Sequence, residues 1–143
     1  MPAHKPSNAA VGAGALGLGV DLVENARMRA VLERWGAHFK DRVFRPAERH
    51  YCEACGRPWQ HFAGRFAVKE AVSKALGTGI GRPVGWLDID VVRGASGAPA
   101  VRLHGGARDL ARRRGVDRVL VSLAHTRNYA VAQALVLGGR KTR

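Results

Sequence analysis

Acidic residues are scarce in this chain. Eleven Asp and Glu stand against 24 Lys and Arg in 143 residues, giving a formal net charge of +13 and a pI near 11.3. Such an imbalance points to an anionic partner: nucleic acid, an anionic membrane, or an acidic substrate. It also ensures non-specific attraction to DNA or RNA at low salt, so that behaviour discriminates poorly. Aromatic residues make up only 6% of the chain. There is no aromatic stacking series, no RNP-like motif and no finger spacing, so a basic nucleic-acid-binding module is an alternative carried by charge alone. No apolar run approaches the length of a membrane-spanning helix. Two cysteines, Cys52 and Cys55, are too few for a disulfide framework. With His50 and His61 they offer a tetrahedral zinc set, but the spacing matches no zinc motif. They read as small apolar residues, reduced in a cytoplasm.

What remains is enough for one domain with its own core. The opening MPAHKPSNAAVGAGA lacks a basic region followed by a strong apolar run, and residues 1–14 read as a disordered leader. A single domain over 15–138 and a frayed tail over 139–143 complete the chain. Patterning predicts strands at 15–24, 86–93, 99–104, 118–126 and 129–137, and helices at 25–36, 46–56, 60–76 and 105–114. Strands mixed with helices, without regular β-α-β alternation, indicate an α+β fold.

The most informative stretch is GRFAVKEAVSKALGTGIG, residues 64–81. Residues three and four apart share a helix face, so Glu70, Ser73 and Lys74 project together. Ala67, Ala71, Val72 and Ala75 supply an apolar stripe beside them. Gly77-Thr78-Gly79 then stops the helix. Glu70 and Lys74 alone would be an ordinary surface ion pair. A second acid changes the weight of that reading. Asp21 is the single acid among Leu18, Val20, Leu22 and Val23 in a predicted strand, where a carboxylate needs compensation. A divalent cation shared with Glu70 would supply it; capping of the helix that starts near Asn25 is the other reading.

Taken together, G-x-G-x-D-x-x-E from Gly17 to Glu24, Arg27, and R-F-A-x-K-E-A-x-S-K-A-x-G-T-G-I-G from Arg65 resemble the holo-acyl-carrier-protein synthase family. A third segment agrees. Val121-Ser-Leu-Ala-His125, followed by Tyr129-Ala-Val-Ala, is similar to the family's closing hairpin. The match runs from about Gly17 to Leu137, with the segments in the family's order.

The resemblance implies an antiparallel sheet wrapped by helices, assembled as a trimer with active sites between subunits. It implies transfer of 4′-phosphopantetheine from coenzyme A to a serine hydroxyl of an apo-acyl carrier protein, releasing adenosine 3′,5′-bisphosphate. Asp21 and Glu70 would be Mg²⁺ ligands, with Lys74 neutralising charge on phosphate oxygens. Either Glu70 or a metal-bound water would take the serine proton. Ser73, Gly77, Thr78 and Gly79 would contact coenzyme A through hydroxyl and backbone donors. His125 would reach its nucleotide or 3′-phosphate. Thr126 stands where many relatives carry an acid. Arg27 and Arg34, seven residues apart on one helix face, would dock an acidic carrier helix. Whether that carrier serves fatty-acid or polyketide synthesis is open at this level.

Overall fold

The computed structural model describes residues 14–139, so the leader and tail assignments fall almost entirely outside the described residues. The elements in chain order are β1 (Gly14–Glu24), α1 (Asn25–Val43), α2 (Pro46–Glu53), α3 (Pro58–Ala75), β2 (Ile89–Arg93), β3 (Pro99–Leu103), α4 (Gly105–Arg113), β4 (Val116–His125) and β5 (Tyr129–Gly138). The α+β expectation holds. β1, β5 and β4 form one antiparallel sheet with β5 central, and β2 pairs antiparallel with β3 in a second.

Several boundaries differ from the sequence reading: α2 ends at Glu53 rather than 56, α3 begins at Pro58 rather than 60, and β4 at Val116 rather than 118. The first helix does not stop at Gly36; it kinks there, at φ 50, and continues to Val43. A positive φ is open to glycine at little cost, so the chain turns and resumes helical geometry. Residues 86–88 are a short 3-10 turn, and the strand begins only at Ile89.

α3 is the centre of the molecule. Ala67, Val68, Ala71 and Val72 are wholly buried. They pack with Ala132, Ala134 and Val136 of β5 and with Ile89 and Val91 of β2. A helix apolar around most of its circumference belongs between layers.

Its approach to β1 is unusually close, and two glycines allow it. Alternate residues of a strand face opposite sides, so Gly17, Gly19, Asp21 and Val23 share the face turned to α3. A Cβ at Gly17 would collide with the Ala75 carbonyl, and one at Gly19 with the Ala71 carbonyl. The glycines thus bring the two backbones into contact, and Asp21 is the next residue on that face. The opposite face is apolar and exposed, with Leu18 72%, Leu22 61%, Val20 53% and Leu120 44% accessible.

A buried ion pair pins the other side of α3. Lys69 Nζ donates to Glu48 Oε1 at 2.8 Å, to the Ile89 carbonyl at 2.6 Å and to the Trp86 carbonyl at 3.0 Å. Glu48 also accepts the Arg45 N–H at 2.8 Å and the Val91 N–H at 2.9 Å. Every charged atom of the pair therefore has a partner, the condition under which a buried pair is tolerated.

Candidate active site

Asp21 and Glu70 meet in a cleft of about 370 Å³ bounded by the end of β1, the start of α1 and the middle of α3. Arg27, Met28, Phe39 and Phe66 complete its walls, and Glu24 adds a third carboxylate. Lys74 Nζ lies 3.1 Å from Asp21 Oδ1 and donates to the Val20 carbonyl at the same distance. Asp21 therefore serves Lys74 and the cleft; no side-chain bond caps α1, whose N-cap residue is Glu24.

The electrostatics of the cleft are unbalanced. Partial burial raises the Glu70 pKa above the usual carboxylate value, the Asp21 charge raises it further, and Lys74 pulls it back. Two carboxylates that repel one another across a partly open cleft fit a hard divalent cation. Among the described residues no three His, Cys, Asp or Glu converge on one point. The protein thus offers two carboxylates, oxygen donors of the kind a hard divalent cation takes.

Ser73 does not join Glu70 and Lys74. It is fully buried, and its hydroxyl donates to the Glu70 carbonyl at 2.7 Å. Each residue turns a helix by about 100°, so with Lys74 against β1 its neighbour Ser73 rotates into the core. The glycine loop also differs from the expectation of free backbone donors. The Gly77 N–H donates to the Lys74 carbonyl, and the Thr78 and Gly79 N–H groups both donate to the Ser73 carbonyl. These amides close the last turn of α3, and Thr78 Oγ1 donates to the Gly79 carbonyl at 2.8 Å. Arg114 adds a bond to the Leu76 carbonyl at the same helix end.

His125 is at the end of β4 and does not line the Asp21–Glu70 cleft of its own chain. Gly64 of α3 leaves room for its ring; a Cβ there would lie 2.6 Å from His125 Cε1. Beside it are His61, with ring centroids 5.9 Å apart, and Arg65, a buried residue whose Nε has no hydrogen-bond partner. Sequence reading assigned no role to Arg65 and connected His61 only with the cysteines. The i, i+4 spacing of His61 and Arg65 was the available signal. The conceivable zinc set does not form: His61 turns toward His125, and among the described residues no three His, Cys, Asp or Glu converge.

Arg27 borders the cleft, while Arg34 is exposed farther along α1 with its guanidinium over the Trp35 ring at 5.0 Å. The two are not brought to one pocket. They stand along one exposed helix leading to the carboxylates.

Residues 17–134 match the model of the 4′-phosphopantetheinyl transferase superfamily. A holo-[acyl-carrier-protein] synthase of Desulforudis audaxviator is 46% identical over 123 residues, covering 86% of this chain and 93% of that protein. One from Chlorobaculum parvum is 49% identical over 119 residues, covering 83% of this chain and 96% of the relative. Among solved structures, the holo-[acyl-carrier-protein] synthase of Neisseria meningitidis superposes with a TM-score of 0.80 at 28% identity, covering 86% of this chain and 98% of its own. That of Bacillus anthracis, in complex with CoA (3′,5′-ADP), gives a TM-score of 0.73 at 32% identity over 87% of this chain and 98% of its own.

Proposed function

The chain belongs to the 4′-phosphopantetheinyl transferase superfamily, and from that premise we propose how its own residues carry the reaction. The activity is transfer of 4′-phosphopantetheine from coenzyme A to a serine hydroxyl of an apo-acyl carrier protein. The serine oxygen forms a bond to the phosphorus bearing pantetheine, its proton passes to Glu70 or to a water, and the pyrophosphate P–O bond breaks. Adenosine 3′,5′-bisphosphate leaves with the bonding electrons. The observation that carries the reading is the convergence of Asp21 and Glu70, from two elements, in one cleft, with Lys74 bonded to Asp21.

Asp21 and Glu70 are the ligands for Mg²⁺, which when bound neutralises the pyrophosphate and stabilises the departing oxygen. Lys74 holds Asp21 in place and presents a cation to the same phosphates. Ser73 and the Gly77-Thr78-Gly79 loop enter this reading as the frame that closes α3 around Lys74. His125 and Arg65 receive the 3′-phosphate of coenzyme A. The support is a buried guanidinium with a free N–H beside an imidazole.

The apolar outer face of the three-stranded sheet supports a homotrimer, since patches of exposed Leu and Val of this kind mark association surfaces. In that assembly His125 serves the carboxylates of a neighbouring subunit. Arg27 and Arg34 dock the acidic carrier so that its serine enters beside Glu70. The domain extends over 15–138. Among the described residues no helix is long and apolar enough to cross a membrane. Both cysteines are free, which supports a cytoplasmic setting.

Intact-mass analysis of an apo-acyl carrier protein, incubated with coenzyme A, Mg²⁺ and this protein, tests the reading. The carrier gains one phosphopantetheine group with Mg²⁺ and none with EDTA. An unmodified carrier under both conditions overturns it.

A further inference from the structure

His61, near the start of α3, pairs with His125 at the end of β4, outside the Asp21–Glu70 cleft. His61 and Arg65 lie one turn apart on α3, and His125 reaches them from the end of β4 over the bare backbone of Gly64. Tyr51 of α2 stacks under the Arg65 guanidinium at 4.1 Å, meets the His61 ring edge-on at 5.9 Å, and has Arg93 of β2 over it at 5.5 Å. The groups facing one another are two imidazoles, two guanidiniums and a phenol. The carboxylates of neighbouring α2 are engaged elsewhere, Glu48 by Lys69 and Glu53 by Lys40. The Cys52 thiol, also on α2, stays protonated. Among the described residues no carboxylate forms an ion pair with the Arg65 or Arg93 guanidinium, and Arg65 Nε is left buried and unpartnered.

We propose that His61 is a second imidazole of the 3′-phosphate site, and that the His61–His125 pair takes up a proton when coenzyme A binds. The proposal rests on the reading of Arg65 and His125 as the phosphate site and adds His61 and the proton. Without ligand, burial lowers the pKa of both imidazoles, His61 lowers that of His125 further, and the Arg65 charge lowers both. Both rings are therefore neutral near pH 7.5, and each is short of a reason to protonate. A phosphate dianion placed among them reverses that balance, because an adjacent opposite charge favours the charged imidazole.

The sign comes from linkage. A group whose pKa is raised in the complex strengthens binding where the free form is neutral and the bound form charged. Affinity for coenzyme A therefore rises as pH falls from about 8.5 toward 6.5, by at most tenfold per pH unit for each proton taken up. 3′-Dephospho-coenzyme A, which lacks the phosphate, shows neither the uptake nor the slope.

Calorimetric titration of the full-length protein with coenzyme A, in buffers of different ionisation heat, counts the protons directly. The expected result is uptake of about one proton near pH 7. His61→Phe keeps an aromatic ring against Tyr51. It lowers that uptake, weakens coenzyme A roughly 3–10-fold at pH 6.5 and changes it less than about twofold at pH 8.5. His61→Gln does the same if the Phe variant does not fold. Imidazole resonances followed by NMR in the parent protein give an independent check: two histidine pKa values move up on adding coenzyme A. Unchanged proton uptake in His61→Phe or His61→Gln overturns the role of His61. Tight binding of coenzyme A without uptake overturns the linkage while leaving the phosphate site standing. Equal affinity for the dephospho form overturns the phosphate site itself.

Discussion

At the scale of single residues, the proposed chemistry rests on Asp21, Glu70 and Lys74. Glu70 and Lys74 are one helical turn apart, and Asp21 is an acid where a strand should be apolar. Asp21→Asn and Glu70→Gln should each lower transfer by ~10²–10³-fold with the fold unchanged by circular dichroism. Raised Mg²⁺ should restore part of the rate. Near-normal rates for both variants at limiting metal would remove the two-ligand site. Ser73 was not legible, since its direction depends on which sides of α3 are covered, and α3 is covered on nearly all. The cysteines separate in the same way. Cys52 is wholly enclosed, with its thiol pushed up to about 12, whereas Cys55 is partly exposed and donates only to the Tyr51 carbonyl at 3.3 Å. Mass spectrometry after iodoacetamide treatment at pH 8 should show one alkyl group on the native protein, at Cys55, and two after denaturation. Rapid double labelling of the native protein would contradict this burial.

Element by element, the order of strands and helices was set by periodicity, and the departures have local causes. Gly36 looks like a helix stop, yet the chain kinks and resumes, because a glycine at φ 50 need not end the packing of the turns beyond it. The Glu48–Lys69 pair had no sequence signal, its members being 21 residues apart on different helices. Removing one partner strands a buried charge, so Lys69→Met should cost ~3–5 kcal/mol in chemical denaturation. The double variant Glu48→Met with Lys69→Met should recover most of that loss. An equally unstable double variant would show that the hydrogen bonds to Arg45, Val91, Trp86 and Ile89 matter more than the stranded charge.

For the whole molecule, composition indicated the sign of the partner but not the surfaces that meet it. The exposed leucines of β1 and β4 alternate with inward residues, and strand pairing had to be known before they formed one face. Leu18→Glu with Leu120→Glu, on two strands of that face, should turn the proposed trimer into monomers by light scattering and reduce transfer in parallel. A variant that stays trimeric would move the interface elsewhere. The arginines of α1 are proposed to meet the carrier instead. Arg27→Glu should raise the apparent KM for the carrier protein and leave that for coenzyme A nearly unchanged. Higher salt should narrow the gap to the parent, since exposed charges are screened over roughly 8–10 Å. An equal loss for both substrates would place Arg27 at the cofactor.

The close seat of α3 on Gly17 and Gly19 also bears on how the chain can go wrong. A strand slipped by one residue turns every side chain to the other face. In β1 such a slip would press Leu18 and Val20 against a helix that has room only for hydrogen atoms, and would send Asp21 outward. The same two glycines that admit the helix thus proofread the strand: a chain paired out of step cannot close its core, and a chain that closes its core has Asp21 aimed at Glu70.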